Sequence, residues 1–247
     1  MLARESVKAL SSFVRAAARA DRADVAIERA LPGDGGRTHY VITADIAGGP
    51  ISGRRTLVLR GQSDDRKSTL ASAEEFAIRQ VAFGAGLTTP EPLWLEPKGD
   101  VIGQPFMILR YVGGTADAVV LQEELPVEDG DRLAYRLGQE LARLHAIRME
   151  QAPAAIAFLR KPGADWMQVR AAAWRAALDG IAAPQPCFEW AINWLADHAP
   201  TIERFALCHR DLRLGNFAVE GAQLTGVFDL EDAGWSDPME DLSLIHI

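Results

Sequence analysis

Three side chains near the C-terminal end carry the chemistry this sequence could perform: Asp211, Asn216 five residues on, and Asp229 thirteen beyond that. They lie in Leu207-Cys208-His209-Arg210-Asp211-Leu212-Arg213-Leu214-Gly215-Asn216-Phe217, then a turn, then Leu224-Thr225-Gly226-Val227-Phe228-Asp229. Moving a phosphoryl group from a nucleotide to a hydroxyl asks for one carboxylate to hold the attacking O–H. It also asks for oxygen ligands that keep Mg²⁺ on the phosphates. An Asp, an Asn and a second Asp in this order supply both needs. Asp211 is the candidate catalytic base, acting mainly by positioning because the transition state is loose. Asn216 and Asp229 are the candidate metal ligands, since side-chain oxygens suit a hard cation. Asp229 ends the apolar run Val227-Phe228, where a charge without a partner would be costly. A single loop aspartate would be read as a local backbone acceptor; three such groups together ask for more.

The elements that must position these groups can be read from periodicity and punctuation. Residues 4–20 form an amphipathic pattern with Val7, Leu10, Phe13 and Val14 on one side. From Leu31 to Tyr40 a Gly-rich turn feeds a strand over about Thr38–Ile46, and a second turn (Gly48, Gly49, Pro50, Gly53) leads to a strand over Arg55–Arg60. After a charged loop, Ser63 to Lys67, the run Ser72-Ala73-Glu74-Glu75 is a candidate capping box for a helix to about Gly84, with Ser68 as an alternative start. Leu93–Leu95 and Pro105–Val112 read as strands, the second almost wholly apolar and therefore central. Gly113-Gly114 marks the candidate boundary between two lobes. Beyond it Leu133, Leu137, Leu141 and Leu144 form a helical stripe, and further helices are expected over Trp166–Ile181 and Phe188–Ala199. Trp166, Trp174, Trp190 and Trp194 belong to those helices and read as core packing rather than a substrate wall. Strand signals return at Phe217–Val219 and Leu224–Asp229, around the turn Glu220-Gly221-Ala222.

A chain of 247 residues with 48% hydrophobic and 24% charged residues is long enough for two lobes sharing a cleft. No apolar run approaches the roughly 20 residues of a membrane helix, and Met1 to Asp24 lack the apolar core of a secretory signal. Two cysteines, Cys187 and Cys208, give no disulfide framework, so a reducing cytoplasmic setting is expected. A net charge of −8 argues against a general nucleic-acid binder and means that local cations must hold any nucleotide. Between Asp229 and Asp241 there are six carboxylates and no Lys or Arg, a concentration that favours Mg²⁺ and could also attract a cationic substrate.

The motif set resembles the aminoglycoside phosphotransferase family, relatives of choline and homoserine kinases. Its wording is similar to the kinase-like domain fused to acyl-CoA dehydrogenases. The likeness rests on His209-Arg210-Asp211 closing in Gly215-Asn216, on Asp229-Leu230-Glu231, and on Trp235-Ser236-Asp237-Pro238-Met239-Glu240-Asp241-Leu242. Upstream it takes in Leu137-Gly138-Gln139-Glu140-Leu141-Ala142-Arg143-Leu144-His145 and Gly86-Leu87-Thr88-Thr89-Pro90, so that it covers about Ile27 to Leu242. The resemblance implies a place for a phosphate-gripping cation on the strand Thr56-Leu57-Val58-Leu59-Arg60, where Arg60 stands for the usual lysine. Glu75, eleven residues before Gly86, would be its helix partner, and Lys67 is the rival cation. It further implies a phosphate-covering turn at Gly33–Gly36, with Gly36 among the backbone contacts, and a hinge at Arg110-Tyr111-Val112 where Tyr111 and Val112 meet the adenine. Glu231 is expected at or behind the metal, and Asp237 and Asp241 as braces of the metal loop. His209 is expected to hold its loop by hydrogen bonds, while His145, His39 and His198 are read as ordinary residues. Leu230 departs from the tryptophan common at that place.

Together these readings give an α+β, protein-kinase-like two-lobed fold: a β-rich N-lobe over residues 1–112 and a mainly α-helical C-lobe over 113–247. The activity implied is ATP- and Mg²⁺-dependent transfer of the γ-phosphoryl group to a hydroxyl of a small molecule, with no nucleic acid or membrane partner. A catalytically silent kinase-like binding module is the alternative. The residues after Leu242 do not resemble the family's continuation, so an incomplete C-lobe is expected, lacking part of the acceptor site. The acceptor, the choice between ATP and GTP, and the oligomeric state stay open at this point.

Overall fold

The computed structural model describes residues 4–31, 39–61 and 70–243. Helix α1 (Arg4–Ala17) is followed by strands β1 (Arg22–Leu31), β2 (His39–Ala47) and β3 (Gly53–Gly61), helix α2 (Ser72–Gly84), and strands β4 (Pro92–Glu96) and β5 (Phe106–Arg110). The five strands form one antiparallel sheet in the order β1-β2-β3-β5-β4, so the apolar β5 is an interior strand between β3 and β4. Period-two alternation gives the sheet two different faces. Ile42, Leu57, Leu59, Phe106 and Ile108 face α1, where they pack on Leu10 and Val14. The intervening residues Val58, Met107 and Leu109 face the other way, onto Phe76 of α2. Arg60 shares the parity of Val58, and this alternation is what delivers its guanidinium to the α2 side.

Helix α2 also belongs to a second core. Its Ile78 and Ala82 join Leu133, Leu137, Leu141 and Leu144 of α4 (Val127–His145) and the inner faces of β7 (Phe217–Glu220) and β8 (Gln223–Val227). The predicted leucine stripe is therefore the buried face of α4. Short helix α3 (Ala118–Glu124), helices α5 (Trp166–Asp179) and α6 (Pro186–His198), the pair β6 (Ala206–Cys208) with β9 (Gly234–Ser236), and α7 (Met239–Ser243) complete the helical part. The Thr88-Thr89 segment before β4 fastens the two parts together. Val227 N–H donates to Thr88 O at 2.7 Å, Thr89 Oγ1 donates to Val227 O at 2.8 Å, and the fully buried Glu140 accepts from Thr88 N at 2.8 Å.

Several expectations change. Strand β1 is an addition to the expected elements, although Ala23, Val25 and Ile27 alternate with polar neighbours as an edge strand does. The N-cap of α2 is Ala71, one residue before the expected Ser72; Ala71 has no side-chain acceptor, so only the Glu74 half of a capping box forms, with Ala71 N–H donating to Glu74 at 2.9 Å. That frame turns Glu75 inward, where it is buried. Strand β8 stops at Val227, two residues short of Asp229. Three of the four tryptophans are not core: Trp174, Trp190 and Trp194 are 36%, 68% and 48% exposed, while Trp166 is half-buried, because α5 and α6 bury only Met167, Ala171 and Ile192 between them. The start before Arg4, the Gly33–Gly36 turn, Ser63 to Lys67 and the last residues lie outside the described residues. No described helix is long and apolar enough to cross a membrane.

Gly114 meets β7 so closely that a side chain has no room. Its φ is +94°, and a Cβ would lie 2.6 Å from Val219 O. Thr115 then exchanges both backbone hydrogen bonds with Val219, at 2.9 Å each. Gly114→Ala combines a forbidden backbone angle with a clash against main chain, and we expect a loss of about 2 kcal/mol or more. Urea unfolding checks this; a change below ~0.5 kcal/mol would remove the steric reading.

Candidate active site

The loop after β6 is fixed by two buried groups. Asp241, fully buried, accepts the backbone N–H of His209 at 2.9 Å and of Arg210 at 2.6 Å, and lies 2.8 Å from His145 Nε2. Burial works against its charged form, yet His145 and the two amides outweigh that cost and hold its carboxyl below the ordinary carboxylate range. His209 is equally buried; its Nε2 sits 2.6 Å from Phe228 O and its Nδ1 accepts from Asp211 N at 3.3 Å. One nitrogen must donate to a carbonyl while the other accepts, so the ring is the neutral Nε2–H tautomer. Burial, only partly countered by the Phe228 carbonyl, holds its pKa below the ordinary histidine value.

Arg210 takes a left-handed backbone with φ +69°. This turns successive side chains to different neighbours: Arg210 Nε reaches Glu240 at 3.5 Å, and Asp211 meets Asn216. Asn216 Nδ2 donates to both the Asp211 carboxylate and the Asp211 main-chain oxygen, each at 2.7 Å. Arg213 Nε donates to the other carboxylate oxygen at 3.1 Å. Phe228 N–H donates to Asn216 O at 2.8 Å, which sets the Asp229 segment beside the loop that carries Asp211. Asp229 is itself left-handed, φ 56° and ψ 56°, a conformation that Asp tolerates better than most residues.

Across from this loop lies a cluster of charges. Arg60 Nη2 is 3.2 Å from Glu75, 3.1 Å from Asp229 and 3.4 Å from Glu231. Burial opposes its charge, but Glu75 first, then Asp229 and Glu231, more than compensate and raise its pKa. Behind Glu75 stands Arg79, 1% exposed, with Nε and Nη2 donating to the same Glu75 oxygen at 3.0 and 2.7 Å. Burial pushes the Arg79 pKa down, and Glu75 is the main opposing influence.

The structure thus brings Asp211, Asn216, Asp229, Arg60, Glu75 and Glu231 together. Tyr111 and Val112 follow β5, with Tyr111 N–H on Thr56 O at 3.2 Å and Val112 against Gly226. Gly36 and Lys67 lie outside the described residues. Asp241 braces the loop that carries Asp211 rather than the segment that carries Asp229, and Asp237 caps Met239 N–H at 3.0 Å. His145 is more than ordinary, since it shares Asp241. Arg79 is a site residue that sequence reasoning missed; its signal is a charge one helical turn after Glu75, on the same face. The acidic run is also less open than expected, because Asp229 and Glu231 face Arg60, and Glu240 faces Arg170.

The donor set suits Mg²⁺. Asn216 uses its amide nitrogen on Asp211, leaving its carbonyl oxygen on the other branch, and Asp229 adds a carboxylate already placed against a cation.

Removing one partner of a buried pair strands the other. We expect Arg79→Met to cost about 3 kcal/mol in urea unfolding, with Arg79→Lys recovering part of it; an unchanged midpoint would contradict this. A second expectation concerns pH. Because the folded-state pKa of His209 lies below the unfolded value of about 6.5, its neutral form contributes stability at pH 7 that is lost as pH falls below that value. His209→Gln should therefore flatten the decline in Tm between about pH 7.5 and 5.5; an identical slope would contradict it.

The sequence matches the model of the phosphotransferase enzyme family over residues 9–246. It is 29% identical over 219 residues to mouse acyl-CoA dehydrogenase family member 10, covering 85% of this chain and 19% of that protein, so the chain spans about a fifth of its relative's length. Its fold is similar to the aminoglycoside phosphotransferase candidate of Ralstonia eutropha JMP134, with a TM-score of 0.72, 18% identity, and coverage of 95% of this chain and 67% of that one. The GDP complex of wild-type aminoglycoside 2'-phosphotransferase-IIIa gives a TM-score of 0.63 at 20% identity over 97% and 77% of the two chains. The streptomycin–ATP–APH(2")-IIa ternary complex gives 0.61 at 16% identity over 94% and 73%. With nearly the whole chain matched and the kinase-like fold shared, this protein belongs to the phosphotransferase enzyme family.

Proposed function

We propose that the chain transfers the γ-phosphoryl group of ATP, with Mg²⁺, to a hydroxyl of a small molecule. The observation that supports this most is the Asn216 amide spanning the Asp211 carboxylate and main chain, while Asn216 O receives Phe228 N–H from the Asp229 segment. One hydrogen-bonded unit thereby joins a candidate base to two candidate metal ligands. In this reading residues 1–112 and 113–247 are the two lobes around the nucleotide, with Tyr111 and Val112 at the hinge.

Bound Mg·ATP supplies the transferable phosphoryl group and neutralises the charge on its phosphates. Asp211 accepts the proton of the acceptor hydroxyl, held in line by Asn216 and Arg213. Asn216 and Asp229 would hold the metal through their side-chain oxygens. Arg60, fixed by Glu75, would offer its remaining guanidinium donors to the phosphates. Two of the neighbours are complexes with ATP and with GDP, and the present chain is read as an ATP user in a reducing cytoplasm where Cys187 and Cys208 stay thiols.

The silent-module reading has its own support, the contact of Arg60 with Asp229 at 3.1 Å, which places a cation where the metal is needed. ADP release in a screen of hydroxylated metabolites separates the two. Catalysis predicts turnover that Asp211→Asn lowers by about 10²–10⁴-fold while nucleotide affinity stays within about threefold. Nucleotide binding with no ADP release from any acceptor would favour the silent module.

A further inference from the structure

Strand β8 ends at Val227, and the β7–β8 ladder ends with it at the pair Phe217–Val227. Asp229 lies beyond that ladder, yet all four main-chain polar groups of Val227 and Phe228 are engaged. Val227 N–H donates to Thr88 O at 2.7 Å, and Val227 O accepts from Thr89 Oγ1 at 2.8 Å. Phe228 N–H donates to Asn216 O at 2.8 Å, and Phe228 O accepts from His209 Nε2 at 2.6 Å. Asn216 and His209 belong to the loop that carries Asp211. The other two partners come from the connection between α2 and β4, where Thr89 is buried and stands 138 positions from Val227. Thr88 is in turn held by Glu140 of α4, whose two carboxylate oxygens accept Thr88 N–H at 2.8 Å and Thr88 Oγ1–H at 2.9 Å. Glu140 is fully buried, with Arg136 at 2.9 Å and Arg143 beside it to balance its charge. A buried carboxylate compensated in this way is a stiff support, since movement would leave a charge unpaired away from water.

Asp229 needs such support for two reasons. Its backbone is left-handed, φ 56° and ψ 56°, and a residue other than glycine keeps that conformation where its surroundings over-determine it. Mg²⁺ also demands near-ideal octahedral geometry, with ligands at about 2.0–2.1 Å. A site of this kind works only when its side chains are held within about 0.5 Å. We infer, resting on the phosphotransferase reading above, that Thr89 and Glu140 are positioning residues for the metal ligand Asp229. Thr89 acts through its hydroxyl on Val227 O, and Glu140 acts through Thr88. Asn216, His209, Thr88 and Thr89 then grip one dipeptide from two sides, and the Asp229 carboxylate is carried at its end.

Mn²⁺ binding to the full chain with a non-hydrolysable ATP analogue, followed by electron paramagnetic resonance of the free ion, reads the metal site without turnover. We expect Asp229→Asn to weaken Mn²⁺ binding about tenfold or more, and Thr89→Val, which keeps the shape but removes the hydroxyl, to weaken it about tenfold. Thr89→Ser restores the hydroxyl and should return the affinity to within about threefold of the parent. Glu140→Gln leaves an acceptor for only one of the two Thr88 donors and should weaken Mn²⁺ about threefold. Affinity for the analogue in EDTA should stay within about twofold in Thr89→Val, which shows that the variant is folded; Glu140→Gln carries the test if it is not. An effect that runs through Asp229 disappears with that carboxylate, so Thr89→Val added to Asp229→Asn should cost less than about twofold. The same loss in both backgrounds marks a general disturbance and overturns the positioning role. Mn²⁺ affinity unchanged in Thr89→Val, with Asp229→Asn weakened, also overturns it and leaves the phosphotransferase reading standing. Unchanged affinity in Glu140→Gln overturns the part given to Glu140. Unchanged affinity in Asp229→Asn removes the metal site, the phosphotransferase reading and the positioning role together.

Discussion

Charges that have left water must find partners, and that constraint organises this molecule. Two guanidinium groups and three carboxylates, from Arg60, Arg79, Glu75, Asp229 and Glu231, meet where the sheet, α2 and the loop after β8 converge. Each comes from a different kind of local rule. Arg60 is delivered by strand alternation, Glu75 and Arg79 by one turn of helix, and Asp229 by a left-handed backbone at the end of β8. Of these, Glu75 and Arg79 are buried and could not stay so alone, because an uncompensated buried charge costs several kcal/mol. The cluster therefore ties the sheet and α2 to the loop after β8. Arginine suits this role better than lysine, since one planar group contacts Glu75, Asp229 and Glu231 and keeps donors to spare.

A second buried carboxylate does for the loop that carries Asp211 what the charge cluster does for the space between the sheet and that loop. Asp241 takes consecutive amides from His209 and Arg210, so the main chain before Asp211 has no freedom to rotate. His209, neutral and buried, ties the same loop to Phe228. Asp211 is left partly exposed at the tip of this frame, with Asn216 and Arg213 setting its orientation. Rigid support behind a solvent-facing carboxylate is the arrangement that positional catalysis requires.

The groups most legible in the sequence are those whose spacing is local. Asp211 and Asn216 are five residues apart on one loop, and the α2 helix and the leucine stripe of α4 follow from helical periodicity. The pairing of Arg60 with Glu75 comes from the family resemblance, which places a cation on that strand and a glutamate eleven residues before Gly86, and not from local spacing. What escaped was long-range or masked by composition. The contact of His145 with Asp241 joins residues 96 positions apart, and no local pattern announces it. Arg79 looks like any helical arginine until α2 is seen to be packed on both sides. Strand β1 hides its alternation behind charged neighbours, Arg22, Asp24, Glu28 and Arg29. The tryptophans of α5 and α6 misled for the opposite reason: helical spacing told which residues share a face, but not whether another element covers it.

The most direct measurement is the anomalous scattering of Mn²⁺ in crystals of the protein grown with a non-hydrolysable ATP analogue. A peak roughly 2–2.5 Å from the Asn216 side-chain oxygen and the Asp229 carboxylate, with Arg60 shifted from Asp229 onto phosphate, is the expected result. A nucleotide bound with no metal there and the Arg60–Asp229 contact intact would contradict it.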